Sequence, residues 1–423
     1  MNRGLVRNLM LLWAYAAYFP FIVSTYVTIW LDRKIRFPLS FPRDVDALAK
    51  KEQWCLRQLK ESGALPADAE AHEYKVAPLN QAMVFRSNAG VVEVSYTSQG
   101  ERKTLKCFAK FAPTMGSVWN RTIFNLQLNH IKEIYFNRYF IPADNIAAPK
   151  PYCAEVSIIT GNLCLITEHM GNCMEYGENE NFLPGHIELA LDGLASLHAR
   201  YWKDTSQRMK KIFPIADATV DLFDSFVAFT WSIPARKVLV KSWRLMNKPE
   251  TVLHGDARIG NMMFPSAEGK GRFVFIDWQA VRKGKAVFDL AYFLVLSLTA
   301  SQRAASEKKY VDIYYSRLQA KGVTDYTREE MEEDYRHACL CLMVLLSLPM
   351  LSGEASVEGD AALLFVYGMN IWRERLQARF TEFDYRWMAD RYGITMQEGR
   401  DAIAEMLAVI EGRLKGIVEK KQV

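Results

Sequence analysis

The stretch HGDARIGN, residues 254–261, sets an aspartate and an asparagine five positions apart between two short apolar segments. The stretch FIDWQ, residues 275–279, brings Asp277 directly after an apolar pair, and FDLA, residues 288–291, follows with Asp289. Gly269 and Gly271 mark a turn between the first two stretches, so a hairpin is predicted over residues 262–275. We therefore expect polar side chains from two loops to be held rigidly near one another.

Phosphoryl transfer explains why these residue types would occur together. Its transition state is loose and anionic, so catalysis depends on positioning and on neutralising phosphate charge. One carboxylate must orient the acceptor hydroxyl and take its proton, and Asp256 suits that role. Mg²⁺ prefers hard oxygen ligands, which Asp277 and the side-chain carbonyl of Asn261 would provide. The sequence predicts these three as catalytic residues, the last two as metal ligands.

The pattern H-G-D-x-x-x-x-N, followed by I-D-W-Q and then D-L-A, resembles the aminoglycoside phosphotransferase and choline kinase group. Within that group it looks most like the ecdysteroid-kinase-like (CHK kinase-like) family. The segments LITEHM (165–170) and LASLHA (194–199), the latter with a following Tyr-Trp pair, occur in the order that this family has. The resemblance covers residues 75 to 375. It implies a bilobal protein-kinase-like fold of the α+β class, with a small antiparallel-sheet N-lobe and a helix-rich C-lobe.

The resemblance also implies ATP and Mg²⁺ as cofactors and a hydroxyl group of a small molecule as the phosphate acceptor. In the N-lobe, Lys110 would pair with the ATP phosphates and Glu133 would hold that lysine from a helix. Lys106 is the alternative lysine, but it lies at the start of the strand, so Lys110 is preferred. The hinge that binds adenine would include Glu168, His169 and Met170.

Other polar residues near these stretches have two interpretations each. Asp289 would tie the catalytic loop to the following helix, or it would be a plain helix N-cap. His254 is expected to support the loop through hydrogen bonds rather than to transfer protons. Residues 86–90 would cover the phosphates, although they carry one glycine where a glycine-rich loop is expected. Four basic residues would contact phosphate or form a solvated rim, the commoner arrangement: Arg258, Arg282, Lys283 and Lys285.

The periodicity of the chain predicts a sheet followed by a helical region. Strands are predicted over residues 82–85, 91–97, 105–111, 153–159 and 163–167. Helices are predicted over 44–59 and 118–140, and the chain beyond Met170 is mostly helical. These patterns predict three segments: a hydrophobic membrane-anchor segment (1–36), an N-lobe with a leading helix (37–168) and a helical C-lobe with the catalytic loop and acceptor pocket (169–423).

The amino-terminal residues 9–31 contain no charge and are mainly apolar and aromatic. As a helix they would extend about 34 Å, slightly more than the hydrocarbon thickness of a bilayer. Arg33, Lys34 and Arg36 outnumber the two arginines before the segment, which places the body of the protein in the cytosol. We expect membrane association through residues 9–31. A cleaved signal peptide, an interfacial hairpin broken at Pro20 and a helix packed on the soluble domain are the alternatives.

Composition narrows the function classes further. A chain of 423 residues with 50% hydrophobic residues can build two lobes with buried cores. The net charge of +5 is scattered, which gives no indication of a nucleic-acid partner. The seven cysteines show no zinc-ligand spacing, so we expect reduced, structural thiols. The oligomeric state stays open.

The identity of the acceptor is also open. Residues 292–408 would build the acceptor pocket and are rich in apolar and aromatic types, which favours a lipophilic alcohol such as a steroid or terpenoid. The same residues would also serve simple helix packing. A cationic amino alcohol or an aminoglycoside-like acceptor is the main rival. A membrane-tethered pseudokinase acting as a scaffold is another alternative. A protein kinase is a further one, but no Ala-Pro-Glu segment follows and Asp277 begins D-W-Q rather than D-F-G.

Overall fold

A computed structural model of the chain divides into two compact units. It describes residues 19–20, 22–79, 88–112, 118, 121–122, 125, 128–177, 180–206, 232–248, 250–347 and 360–419. The first unit takes its described residues from Met1–Asn145, Pro149–Met170 and Ala355–Ala361, and the second from Ile146–Ala148, Gly171–Glu354 and Ala362–Val423. One unit is built on an antiparallel sheet and the other is mainly helical, so the predicted α+β class is confirmed.

The first unit contains a five-stranded antiparallel sheet in the order β1-β2-β3-β5-β4. Its strands are β1 Glu70–Pro78, β2 Asn88–Ser98, β3 Glu101–Phe111, β4 Pro151–Val156 and β5 Leu163–Glu168. The predicted alternation in β2 is confirmed from Val92 to Val94, where both valines are fully buried and Glu93 pairs with Lys106 across the sheet surface, but the predicted outward residue Ser95 is buried as well. The predicted turn at residues 98–101 joins β2 to β3.

Two parts of this unit differ from the prediction. Strand β1 was not predicted, since most of its side chains are exposed and its sequence shows no apolar alternation. The predicted helix over 44–59 is two helices, α2 Val45–Ala49 and α3 Glu52–Glu61, because Lys51 leaves the helical conformation. The predicted strand 82–85 and residues 86–87 of the predicted phosphate loop lie outside the described residues, and residues 88–90 begin β2.

Further continuous helices of the first unit lie among its described residues. Residues 22–35 form α1, Asn129–Tyr139 form α4 and Ile141–Asp144 form α5. Helix α4 is the described continuous part of the predicted helix 118–140, and it packs against β4. Of the predicted membrane segment 9–31, residues 9–18 and 21 lie outside the described part. Within the described part of the chain, no helix combines the length and the apolar character needed to cross a bilayer.

The second unit contains eight helices among its described residues. They are α6 His186–Arg200, α7 Ile233–Met246, α8 Val287–Ser297, α9 Ala300–Ala320, α10 Arg328–Ser347, α11 Asp360–Gln377, α12 Glu382–Tyr392 and α13 Met396–Glu419. Five short strands accompany them: β6 Cys173–Met174, β7 Thr251–Leu253, β8 Met262–Pro265, β9 Val274–Phe275 and β10 Arg282–Gly284. Strands β8 and β9 pair as the predicted hairpin. All seven cysteines are free thiols and six are buried, in agreement with the prediction.

Candidate active site

The HGD loop leaves the buried strand β7, which pairs antiparallel with β10. Gly255 has a φ of 82°, a conformation that L side chains rarely adopt. A Cβ at this position would lie 2.1 Å from the carbonyl oxygen of Ala280. Glycine is therefore required twice at this position, once for the left-handed turn and once for the close approach to the Asp277–Ala280 segment. The turn sends Asp256 out of the core at the end of β7.

Asp256 is partly exposed, with 21% of its side chain accessible. Its backbone carbonyl accepts hydrogen bonds from the Arg258 N–H at 2.9 Å and from Asn261 Nδ2 at 2.8 Å. The Arg258 Nε lies 3.6 Å from Asp256 Oδ1. These hydrogen bonds hold the loop through the main chain of Asp256. The direction of the Asp256 carboxylate is therefore set by the backbone of the loop.

Asn261 ends the short 3₁₀ helix Ile259–Asn261 and is 2% exposed. Since Nδ2 donates to Asp256, Oδ1 is the atom of this amide that can act as a ligand. The Asn261 carbonyl also accepts from the N–H of Ile276 at 2.9 Å, one residue before Asp277. These bonds bring the two predicted metal ligands to one place.

Asp277 adopts a left-handed conformation, with φ 62° and ψ 65°. This conformation is uncommon for a residue other than glycine and costs about 1 kcal/mol, and such outliers cluster at functional sites. The Gln279 amide donates to Asp277 Oδ2 at 3.1 Å. His254 Nε2 donates to the carbonyl of Ile276 at 2.9 Å, so His254 supports both loops through hydrogen bonds, as predicted.

Asp289 anchors the HGD loop from inside the protein. It is fully buried in the first turn of α8, and its carboxylate accepts from the N–H of His254 at 2.6 Å and of Gly255 at 3.0 Å. The predicted tie to the catalytic loop is confirmed, and the N-cap alternative is wrong because the N-cap position is Ala286. Burial alone would raise the pKa of Asp289. The hydrogen bond from His198, charge interactions with His198 and His254 and the Gly255 N–H outweigh burial and hold the pKa below its usual value.

His198 is a member of this network to which the sequence assigned no role. Its Nε2 donates to Asp289 Oδ2 at 3.2 Å, while its Nδ1 accepts from the hydroxyl of Tyr314 at 2.7 Å. All three side chains are fully buried. The signal was present in the LASLHA segment, where a histidine sits on the apolar face of a helix. Such a buried polar side chain needs a partner, and only the fold identifies Asp289 as that partner.

Three of the four basic residues near the site have structural contacts, so the predicted solvated rim is wrong for them. Arg282 lies over the Phe288 ring and hydrogen-bonds to Asn247, and burial lowers its pKa. Lys283 donates to the carbonyl of Asp204. Lys285 pairs with Glu250 at 2.9 Å and with Asp334 at 3.0 Å. Arg258 differs from them, because it lies beside Asp256 and over the ring of Trp372, 5.7 Å from its centroid.

In the first unit, the predicted lysine and glutamate meet. Lys110 Nζ lies 2.6 Å from Glu133 Oε1, and the two side chains are 12% and 2% exposed. Lys106, the alternative, is 52% exposed and pairs with Glu93 on the sheet surface. The geometry agrees with the preference for Lys110, because a buried pair positions an ammonium more rigidly than an exposed one.

The predicted hinge residues lie at the end of β5 in the same unit. Glu168 closes the strand, and its Oε2 accepts from the Lys150 N–H at 3.2 Å. Burial and the charge of Lys106 lower the pKa of His169. Met170 is buried. These residues share the first unit with Lys110, whereas Asp256, Asn261 and Asp277 are joined within the second.

The ligand types fit magnesium. Among the described residues, no group of three or more His, Cys, Asp or Glu side chains is arranged to hold a metal. Asn261 and Asp277 instead form a two-residue oxygen set. Mg²⁺ is commonly bound by one or two protein oxygens together with substrate phosphates and water, so this set suits a metal that arrives with a nucleotide.

Comparison with known proteins agrees with the resemblance seen in the motifs. Residues 175–323 match the model of the ecdysteroid kinase-like family, and this segment contains the HGD, IDW and DLA stretches. An uncharacterized kinase-like protein of Caenorhabditis elegans is 32% identical over 92 residues, which are 22% of this chain. The chain spans 24% of the length of this relative. The predicted resemblance is confirmed for the matched segment.

Similar solved structures include three phosphotransferases. The GDP complex of aminoglycoside 2′-phosphotransferase-IIIa covers 78% of this chain and all of its own, with 12% identity and a TM-score of 0.45. Plasmodium vivax ethanolamine kinase covers 77% of this chain and 86% of its own, with 14% identity and a TM-score of 0.45. A microcompartment-associated aminopropanol kinase covers 81% and 99%, with 9% identity and a TM-score of 0.41.

Proposed function

Because residues 175–323 match the ecdysteroid kinase-like family, we propose that the chain is an ATP-dependent phosphotransferase that phosphorylates a hydroxyl group of a small molecule. One observation supports this most strongly. The Asn261 side-chain amide donates to the Asp256 carbonyl, and the Asn261 carbonyl accepts from the N–H of Ile276, the residue before Asp277, while Asp289 holds the loop from the protein interior. A site of this kind is preorganised, which is the main requirement for stabilising an anionic phosphoryl transition state.

Each residue has a distinct role in the proposed reaction. Asp256 accepts the proton of the acceptor hydroxyl. At the same time the hydroxyl oxygen bonds to the γ-phosphorus of ATP, and the bond between the γ-phosphorus and the oxygen that bridges it to the β-phosphate breaks, releasing ADP. Asn261 Oδ1 and Asp277 would hold Mg²⁺, which supplies charge neutralisation of the phosphates when bound. Lys110, oriented by Glu133, binds phosphate oxygens. Glu168, His169 and Met170 would contact the adenine ring.

A thermal-shift measurement tests the nucleotide site. We expect MgATP to raise the melting temperature of the full chain, and Asp277→Ala to remove that shift, since the variant lacks a metal ligand. Asp401→Ala is the matched control, because it removes the same carboxylate from an exposed position on α13. The control should keep the wild-type shift.

Two results would count against the proposal. A wild-type protein without any MgATP-dependent shift would favour the pseudokinase alternative, in which the unit serves as a binding scaffold. A shift that persists in Asp277→Ala would show that nucleotide binding does not need this carboxylate. The assignment of Asp277 as a metal ligand would then be wrong.

The surroundings of Asp256 favour a neutral acceptor over a cationic one. The Arg258 guanidinium lies 3.6 Å from the Asp256 carboxylate and over the face of the Trp372 ring. An aromatic face next to a catalytic base is a place where a quaternary or primary ammonium group could bind. In this protein a cationic side chain of the chain itself lies over that face, and its charge repels a cationic acceptor. We propose a lipophilic alcohol as the acceptor class rather than an amino alcohol or an aminoglycoside-like molecule.

Substitution of Arg258 tests the acceptor class. Arg258→Gln is expected to raise kcat/KM for a cationic amino alcohol relative to a neutral alcohol by about tenfold, or about 1.4 kcal/mol. Removing one partly exposed positive charge accounts for an effect of this size. Arg258→Lys, which keeps the charge, is the matched control and should retain the wild-type ratio. An unchanged ratio in Arg258→Gln would contradict the electrostatic argument, and a wild-type preference for cationic acceptors would contradict the proposed class.

A further inference from the structure

Helix α1 exposes large apolar side chains along one face. Val23, Tyr26, Val27 and Trp30 are 42%, 38%, 44% and 45% exposed, and the helical residue Phe19 before them is 66% exposed. At about 100° per residue these positions fall within an arc of roughly 100°, which is one continuous face of a helix. We call these five residues the apolar stripe. A stripe of this size on a surface helix indicates an interaction site rather than scattered surface residues.

The opposite face of α1 is part of the first unit. Thr25, Ile29 and Asp32 are buried. Asp32 is 1% exposed, and its carboxylate accepts from Asn162 Nδ2 at 2.9 Å and from the Phe37 N–H at 3.1 Å. Arg43 and Arg121 lie 3.6 Å and 3.8 Å from the same carboxylate. The helix is thus fixed to the sheet-containing unit through a buried, fully engaged charge.

This attachment distinguishes a helix on a membrane from a helix across it. To enter the hydrocarbon region, α1 would have to give up the buried packing of Thr25 and Ile29 on the first unit and draw Asp32, which directly follows the predicted segment, away from Asn162 and the two arginines. Separating a buried carboxylate from its guanidinium partners is costly. The apolar stripe, by contrast, can contact lipid while every contact of Asp32 stays in place.

The charges next to the stripe identify the kind of surface. Lys34 is exposed and lies four residues after Trp30, one helical turn along the same face. The exposed Arg36 follows the helix, whereas the Nε and Nη2 atoms of Arg33 are buried and face the protein. Tryptophan and tyrosine rings settle at the depth of lipid headgroups, and clustered lysine and arginine side chains attract anionic lipids. Aromatic rings, aliphatic groups and Lys34 on one helix face, with Arg36 just beyond the helix, suit an anionic bilayer surface.

We propose that the apolar stripe of α1 rests on the surface of a membrane that contains anionic phospholipid, with the first unit held beside that surface through Asp32. The helix lies in the plane of the interface and its buried face stays on the protein. The predicted membrane association thereby takes the form of an interfacial contact instead of a span. This inference is independent of the proposed kinase activity.

Flotation of the full chain with vesicles tests the proposal. We expect binding to vesicles of phosphatidylcholine with phosphatidylserine and weaker binding to phosphatidylcholine alone. Val23→Asp should lower the bound fraction about tenfold, because it places a charge on the lipid-facing side. Ser24→Asp is the matched control. It adds the same charge at the next, also exposed, position of the helix, about 100° from Val23 around the helix axis and outside the stripe, and it should bind as the wild type does.

The possible results separate the alternatives. Equal vesicle binding by Val23→Asp and wild type would overturn the proposal. So would the absence of wild-type binding to either kind of vesicle. If the wild type binds neither vesicle and also forms a concentration-dependent dimer, the stripe is the contact surface for a second copy of the chain. Bound protein that alkaline carbonate cannot extract would overturn the interfacial arrangement in favour of a span. An unchanged melting temperature in Val23→Asp would show that the variant is folded, so that lost vesicle binding reports on the stripe.

Discussion

Asp256→Asn is expected to lower the rate of ATP-dependent phosphotransfer by about 10²–10⁴-fold, the range that a positioned general base contributes. The carboxamide has the same shape as the carboxylate but cannot accept the proton of the acceptor hydroxyl. The loop is held by main-chain bonds to Asp256 and by Asp289 rather than by the Asp256 side chain. Turnover should therefore fall while the melting temperature and the MgATP-induced shift stay close to wild type.

A second variant, at Gln279, separates a loss of chemistry from a loss of nucleotide binding. Gln279→Glu changes the charge by one unit in the opposite direction, on the loop that follows Asp277, and Gln279 is a hydrogen-bond partner of Asp277. We expect that variant to alter the MgATP shift more than Asp256→Asn does. If Asp256→Asn instead lost both nucleotide binding and several degrees of melting temperature, Asp256 would be a residue required for folding and the assigned base would be wrong.

Asp289→Ala is expected to lower the free energy of unfolding of the second unit by about 3–5 kcal/mol, the cost of breaking a buried charge network. The variant leaves the N–H groups of His254 and Gly255 and the Nε2 of His198 without their acceptor. For a unit of this size, a loss of this magnitude lowers the melting temperature by roughly 10 °C. Differential scanning calorimetry of the full chain measures the change.

Asp312→Ala is the matched control for this prediction, because Asp312 is 43% exposed and pairs with Lys308 and Arg328 on a helix surface. Its loss should cost less than about 1 kcal/mol. The pH dependence gives a second check. The pKa of Asp289 is lowered on folding, so its stabilisation is present above the unfolded-state pKa of about 3.9 and is lost as the pH falls below it. A difference between wild type and variant that did not shrink in acid would contradict the carboxylate's role.

Several features could be predicted because they depend on neighbouring residues alone. The alternation of Val92 and Val94 with polar residues indicated β2, and the turn at 98–101 fixed its pairing with β3. The glycines at 269 and 271 indicated the hairpin of β8 and β9. Hydrophobic periodicity and turn-forming residues can be recognised within a short window of sequence. Each of these hairpin strands also forms backbone hydrogen bonds with a strand that is close in sequence.

Other features were missed because their pattern is not local. Strand β1 is mostly exposed, and it is a strand because it adds to the edge of β2 rather than because its side chains alternate. The basic residues Arg282, Lys283 and Lys285 looked like a solvated rim. Their partners Asn247, Asp204 and Glu250 are 35 to 79 residues away, so no sequence window contains the pairs.

The sequence by itself supplied the hypothesis about chemistry, because residue type and spacing predict a base and two oxygen ligands, and the family resemblance implies a phosphate-binding lysine. The tertiary structure alone decided how those groups are supported. It brought Asp289 to the N–H groups of His254 and Gly255, and His198 to Asp289 across 91 residues. It also turned the apolar amino-terminal helix into one with a buried and an exposed face, since Asp32 meets Asn162 130 residues later. The reason is physical: residue type fixes what a side chain can donate or accept, whereas its partner depends on which distant segments folding packs together.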